Sequence, residues 1–466
     1  MIAVVRSARR RGALVVAVFA VVLLGLVTAG AAAGAVPAPR DAFRQAQASA
    51  PAGSAAAGAL SRAAARDLWI NSREADAPPY GRNVFTASKQ AVGDPGLSAT
   101  ATGLIITADR ALAADALAQA HGGGAAMLAS ARSALSAADR QARAGNLSAA
   151  IDLYAKAWQL ADGAIARRVA GEVTHVPSAT LAAAAEHALA VTRFGMSGPR
   201  IVQGLTPLTS GGKPEVFYAG SEACPFCGVQ RWGMIVALSQ FGTFSNLHLM
   251  QSVPTTPPQV TTFTFFGSSY HSPYVSFVPV EVWSNVPANP GLVPLQTLTH
   301  PEAVLVHRFD PPVETPFIDI GNRFITDSAT VTPRLITHRS WTQLAGGLTD
   351  PSNVSTQAIA GEAEVMTAEV CEATGGNPAS VCASTVVQQY EAALPTLTGK
   401  GGSCPAPPGP GGPPPASDAP ASDAVASDAA ASDAAASDAA ASDAAASAPQ
   451  QSARVDPVAT AAHCGV

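Results

Sequence analysis

The sequence predicts a mixed α/β domain, its sheet flanked by helices and carrying a β-rich insertion, preceded by an all-α segment and followed by a disordered tail. Three observations carry this reading. Between Ile105 and Arg168 the chain is dense in Ala and Leu and contains no Pro, which is helix-forming composition. Beyond Gly195 the texture changes to β-branched and aromatic runs separated by turn residues and alternating with helical stretches. From Gly401 onward the chain is "GGSCPAPPGPGGPPP" followed by Ala-Ser-Asp at a five-residue period (Ser417, Ser422, Ser427, Ser432, Ser437 and Ser442, each before Asp). That tail has too little apolar surface to offset chain entropy.

The first forty residues combine Arg6, Arg9, Arg10 and Arg11 with an uncharged stretch from Gly12 to Pro39. A helix from Gly12 to Val36 would reach about 37 Å, enough to cross a bilayer, so residues 1–40 are expected to be a membrane anchor. The rival reading is a cleaved secretory signal, because Ala33-Gly34-Ala35 fits an A-x-A site. Either way the arginines stay cytoplasmic and the chain beyond Pro37 lies outside, at the cell membrane. Residues 41–100, rich in Ala, Ser and Pro, are expected to be a linker that becomes ordered near Leu68. The helical segment is placed at 101–195. In "GNLSAAIDLYAKAWQLADG", Leu147, Ile151, Tyr154, Trp158 and Ala161 share one helix face.

The α/β domain is placed at 199–395. "PEVFYAG" (Pro214–Gly220) reads as a strand buried on both faces. "SEA" turns the chain, and "CPFC" then opens a helical pattern that runs to Phe241 and stops at Gly242. Cys224 is therefore expected at the helix N-cap, with Pro225 at the first helical position, where its missing N–H costs nothing. Cys227 follows one turn inward. Convergent N–H groups at a helix start favour an anion, so a Cys224 thiolate is expected, its pKa lowered to roughly 3.5–7.5. Cys227 would resolve the mixed disulfide that Cys224 forms. Glu222 works against the thiolate unless its side chain points to water.

Further strands are expected at Asn246–Ser252, Phe317–Ile320 and Arg323–Thr326, the last two joined by a Gly321-Asn322 turn. Two strands at Thr262–Phe266 and Tyr274–Val282 would form the insertion. Cys371 and Cys382 flank a Gly-Gly-Asn-Pro turn and are expected to form one structural disulfide across it. Cys404 and Cys464 bracket the tail, 401–466, and their spacing leaves their pairing open.

A strand, a turn and Cys-Pro-aromatic-Cys at a helix start resemble the redox motif of the thioredoxin superfamily. The resemblance implies a cis-proline beside the cysteine pair, which falls on Thr315-Pro316 before "FIDIGNRFITD". It also implies that Thr315 offers its backbone to an extended substrate, so Thr315 and Pro316 are the substrate-binding residues. "EVFYAGSEACPFCGVQRW", "FTFFGSSYHSPYVSFVPVEV" and "TPFIDIGNRF", with the later cysteine pair, further resemble an archaeal and actinobacterial membrane-anchored family, domain of unknown function 929. That resemblance brings no assigned reaction.

The expected function is an extracytoplasmic, membrane-tethered thiol–disulfide oxidoreductase with Cys224 and Cys227 as catalytic residues and protein thiols or disulfides of the cell envelope as partners. The alternative is a non-catalytic thioredoxin-fold scaffold whose cysteines form a fixed bridge. No cofactor is implied. A metal reading is weak, since one CxxC supplies two ligands where zinc takes four and His248, Met250 and His271 match no known spacing. The tail carries a net −6 of the chain's −5, leaving about +1 elsewhere, so no basic face points to nucleic acid.

Overall fold

The computed structural model describes residues 37–405 apart from 71–72, 77–80, 123, 192–194, 253–257, 289–290, 398 and 400. Residues 1–36 of the anchor expected at 1–40, residues 406–466 of the tail expected at 401–466, and Cys464 lie outside the described residues, while Pro39 and Arg40 already belong to the helix Pro39–Ala48. Among the described residues no helix is long and apolar enough to cross a membrane. The chain divides into two compact units after Arg168.

The first unit is helical. Residues 41–100, expected as a linker, instead form helices Pro39–Ala48, Ala55–Ala63 and Arg82–Val92 before the long helix Ala99–Gln119 begins. Small residues build this bundle: Ala42, Ala46, Ala56 and Ala59 are at most 1% exposed, with Phe43, Leu60 and Trp69 among them. Alanine faces let backbones approach closely, yet they contrast little with Ser and Gly in sequence, which is why composition alone reads as linker. Ser54 and Ser98 cap their helices through side-chain oxygens. Helices Ala125–Arg143 and Leu147–Thr174 follow, and Ile151, Tyr154, Trp158 and Ala161 are buried along the expected face. The Tyr154 hydroxyl donates to Asp139 at 2.9 Å, and Asp139 also pairs with Arg110.

The second unit is a mixed sheet flanked by helices. Its order is Arg200–Ile201, Phe324–Thr326, Phe317–Ile320, Lys213–Ser221, Ser276–Pro287 and Leu292–Pro294, with Thr209–Ser210 added at the start of the central strand. Lys213–Ser221 and Ser276–Pro287 run parallel, while every other pair in this sheet is antiparallel. Parallel neighbours need a long crossover, and helix Pro225–Ser239 lies within it.

This topology corrects the expected division between core and insertion. The strand predicted at Tyr274–Val282 is a central member of the main sheet, extended to Pro287. The strand predicted at Asn246–Ser252 shortens to His248–Gln251 and pairs only with Thr261–Thr264, in a separate hairpin. The longer strand matches the central one at seven positions, Glu215 to Ser221 against Ser276 to Trp283, more than the four residues of His248–Gln251 could offer.

One face of the sheet buries Phe217, Ala219, Val280, Phe317 and Ile325 with Val306 of helix His300–Phe309. Helix Val354–Ala373 is buried from Ser355 to Cys371 and packs against helices Pro225–Ser239 and Ser178–Val191. Helix Ser178–Val191, expected within the preceding helical segment, thus belongs to this unit. Gly361 lets it in, since a Cβ there would lie 3.0 Å from the Ala188 Cβ. Cys371 and Cys382 are disulfide-bonded, joining the end of Val354–Ala373 to the short helix Ala379–Cys382.

The tail boundary also moves. Residues 401–405 belong to the folded unit, because Cys404 forms an antiparallel bridge with Thr315.

Candidate functional site

The central strand ends at Ser221, and Glu222-Ala223 turn the chain into the helix Pro225–Ser239. Cys224 is its N-cap, in extended conformation, and its Sγ accepts from the Cys227 N–H at 3.4 Å. Pro225 occupies the first turn, as expected. Gly228 seats the helix on the neighbouring hairpin: a Cβ there would lie 2.5 Å from Val260 Cγ2, and the Thr262 hydroxyl donates to the Gly228 carbonyl at 2.7 Å. Cys227 sits one turn in, with its Sγ 3.5 Å from the Ser221 N–H.

The Thr315–Pro316 peptide bond is cis, and the Thr315 carbonyl lies 3.5 Å from Cys224 Sγ. The fold therefore brings Cys224, Cys227, Thr315 and Pro316 into one site. The bonded pair Cys371–Cys382 is a separate feature.

Three residues of this site were not singled out from sequence as part of it. Arg231, one turn beyond Cys227, is fully buried and forms a bidentate pair with the equally buried Glu281, at 2.9 and 2.6 Å. Its remaining bond goes to the Ser221 carbonyl at 2.8 Å. Glu281 also accepts from the Phe265 N–H at 3.3 Å. Two signals were available: a lone arginine four residues after a cysteine in an apolar helix, and a lone carboxylate inside "FVPVEVW". The third is Cys404. Its N–H donates to the Thr315 carbonyl at 2.7 Å, and the Thr315 N–H donates to the Cys404 carbonyl at 2.9 Å. The Thr315 carbonyl that accepts from Cys404 also lies 3.5 Å from Cys224 Sγ, so one carbonyl joins the two cysteines. No local pattern links positions 89 apart in the chain.

Gly401 and Gly402 thread this segment across the site. A Cβ on Gly402 would meet the Phe226 ring at 2.1 Å, and one on Gly401 would meet the Ala329 carbonyl oxygen at 2.4 Å. The Ala329 N–H donates to the Gly402 carbonyl at 2.9 Å, and the Ser403 hydroxyl bonds the Glu314 carboxylate.

The electrostatics correct the expected lowered pKa. Cys224 is 2% exposed, Cys227 0% and Cys404 7%, and all three are present as thiols. Burial pushes the Cys224 thiol well above its ordinary range. The Cys227 contact works against that rise, and the Cys404 thiol adds to it. A helix terminus is worth about 0.3–2 kcal/mol to an anion, whereas burying a charge costs several kcal/mol, so burial wins. Cys227 is also raised by burial, then by Cys224, with the Arg231 cation and the Ser221 N–H opposing. Glu222 does not point to water. It is 7% exposed and accepts from the Asn285 N–H at 3.4 Å, and burial raises its pKa.

His248 and His271 lie on separate two-stranded sheets, and no group of three or more His, Cys, Asp or Glu is placed to hold a metal among the described residues. A cleft of about 540 Å³ lined by Val202, Pro214, Asn322 and Arg323 opens at the start of the central strand, the end remote from Cys224.

Residues 202–289 match a family described as a domain of unknown function (DUF929). The matched segment carries the central strand, the CPFC helix and the whole of the parallel partner strand Ser276–Pro287, and it ends before Thr315 and Cys404. No curated protein and no solved structure matches the chain.

Proposed function

We propose that the second unit is a thioredoxin-type thiol–disulfide oxidoreductase, held outside the cytoplasm at the cell membrane, with Cys224 as nucleophile and Cys227 as resolving thiol. The observation that carries this is Cys224 at the cap of a 15-residue helix, with the Cys227 N–H one turn inward donating to its sulfur and the Thr315 carbonyl facing that sulfur. The parallel strand pair around that helix and the antiparallel strands Phe317–Ile320 and Phe324–Thr326 support the thioredoxin-type reading.

In the reducing direction the Cys224 thiolate attacks one sulfur of a protein disulfide, and the other sulfur leaves as thiolate. The Cys227 thiolate then attacks Cys224 and expels the first sulfur. The substrate gains two electrons, and the Cys224–Cys227 disulfide holds the oxidised equivalent. Run backwards, the same steps donate a disulfide to a protein dithiol, the direction favoured in an oxidising compartment. Arg231 and the Ser221 N–H, 3.5 Å from Cys227 Sγ, stabilise the Cys227 anion when it forms as leaving group.

The burial of Cys224 favours a second reading, a scaffold whose cysteines never turn over. Equilibration with glutathione buffers, followed by quantification of the Cys224–Cys227 disulfide, separates the two. Exchange proteins have potentials of about −270 to −120 mV, whereas a couple below about −300 mV behaves as a permanent staple. An insulin-reduction assay completes the test. Equal rates for wild type and Cys224→Ser would remove the catalytic assignment.

A further inference from the structure

We infer that Cys404 is a third exchange thiol of this site and that the Gly401–Cys404 segment is its built-in substrate. This rests on the redox reading of Cys224 and Cys227. An extended peptide docks on such a site through main-chain bonds, with its sulfur beside the nucleophile. The chain's own segment meets both requirements. Cys404 and Thr315 exchange both N–H···O bonds, at 2.7 and 2.9 Å, and the same Thr315 carbonyl lies 3.5 Å from Cys224 Sγ, which sets Cys404 beside the nucleophile. Three further contacts align it: Gly402 flat against Phe226, the Ala329 N–H on the Gly402 carbonyl, and Ser403 on Glu314. A disordered spacer would have no reason to make any of these.

The step balances without an outside oxidant. Starting from the Cys224–Cys227 disulfide, the Cys404 thiolate attacks Cys224 Sγ. The Cys224–Cys404 bond forms and the Cys224–Cys227 bond breaks. Cys227 leaves as thiolate toward the Ser221 N–H and Arg231, and it takes up the proton Cys404 gave up. One disulfide is present before and after. Because the attack is intramolecular, Cys404 acts at an effective concentration of about millimolar or more, and a protein disulfide or dithiol must displace it to react. The site thus holds its own competitor.

The test uses the full chain carrying Cys227→Ser, oxidised in a glutathione buffer, acid-quenched, alkylated and mapped by mass spectrometry. The Cys224–Cys404 disulfide is expected in at least about tenfold excess over Cys224–glutathione and Cys224–Cys464. In a second readout that needs no substitution, wild type held at the midpoint of its couple yields Cys224–Cys404 peptide beside Cys224–Cys227. Predominant pairing with Cys464 or glutathione, or absence of the Cys224–Cys404 peptide from both samples, overturns the inference. If the Cys224–Cys227 couple titrates normally while that peptide is missing, only this inference falls. If the couple does not titrate at all, the redox reading falls and takes the inference with it.

Discussion

Replacing Gly401 by Ala gives a direct measure of what encloses Cys224. The added Cβ would lie 2.4 Å from the Ala329 carbonyl oxygen and 2.2 Å from Ser328 Oγ. The first of these is a backbone atom that cannot swing aside, so the segment must lift. Three main-chain bonds then go: Ala329 N–H to Gly402, and the reciprocal pair between Thr315 and Cys404. At about 1 kcal/mol net each, the closed state loses about 3 kcal/mol relative to the open one, or about 150-fold in the opening equilibrium at 1.4 kcal/mol per tenfold. Lifting also returns the Cys224 sulfur to water at a helix start, where the terminus stabilises its anion. The assay is site-resolved iodoacetamide labelling of the reduced protein at pH 8, with Cys224 read separately. Its rate in Gly401→Ala is expected to rise by about two orders of magnitude, while the thermal melt hardly moves, because the opening is local. A Cys224 rate within about threefold of wild type, with an unchanged melt, would show that something other than this segment buries the nucleophile.

Arg231→Met leaves Glu281 as an unpaired buried charge and is expected to cost about 3–5 kcal/mol in urea denaturation, most of it recovered when Glu281→Leu is added; additive losses in the double variant would refute the pairing argument. Burial raises Glu369 to about pH 8 from 4.5. The folded protein therefore holds a proton that the unfolded chain releases above about 4.5, and stability falls as pH rises between those values. The single-group contribution is on the order of 5 kcal/mol. Glu369→Gln should consequently lose less stability than wild type between pH 5 and pH 8, and equal losses would contradict this. Buried Asp319 and Glu364, each raised to about 7 by desolvation, act in the same direction. Cys382→Ser opens a loop with a sequence separation of 11 and is expected to lower stability by about 2–3 kcal/mol, measured as a shift in urea midpoint at constant slope.

The local chemistry was legible wherever neighbours in the chain are neighbours in space. Pro225 after Cys224 announces a helix start, and Cys227 falls one turn inward by helix geometry alone. The Cys371–Cys382 bridge spans a turn written in its own residues. Tyr154 and Trp158 share a face at helical spacing whatever they pack against. What the chain does at a distance was not legible. Ser276–Pro287 became the parallel partner of Lys213–Ser221 because strand pairing is decided between whole segments, and no residue in either names the other. Alanine helices between 39 and 92 hide in a composition that reads as spacer, because close approach of small residues supplies much of their packing around a few large side chains such as Phe43 and Trp69. Enclosure was the most consequential of these outcomes. A helix start favours an anion, but Cys224 is 2% exposed where Gly401–Cys404 returns beside Thr315, and losing hydration costs a charge more than a helix terminus returns. Sequence alone placed the two sulfurs at the mouth of a helix, and only the tertiary structure decided that the strand carrying a third would return to pair with Thr315 beside them.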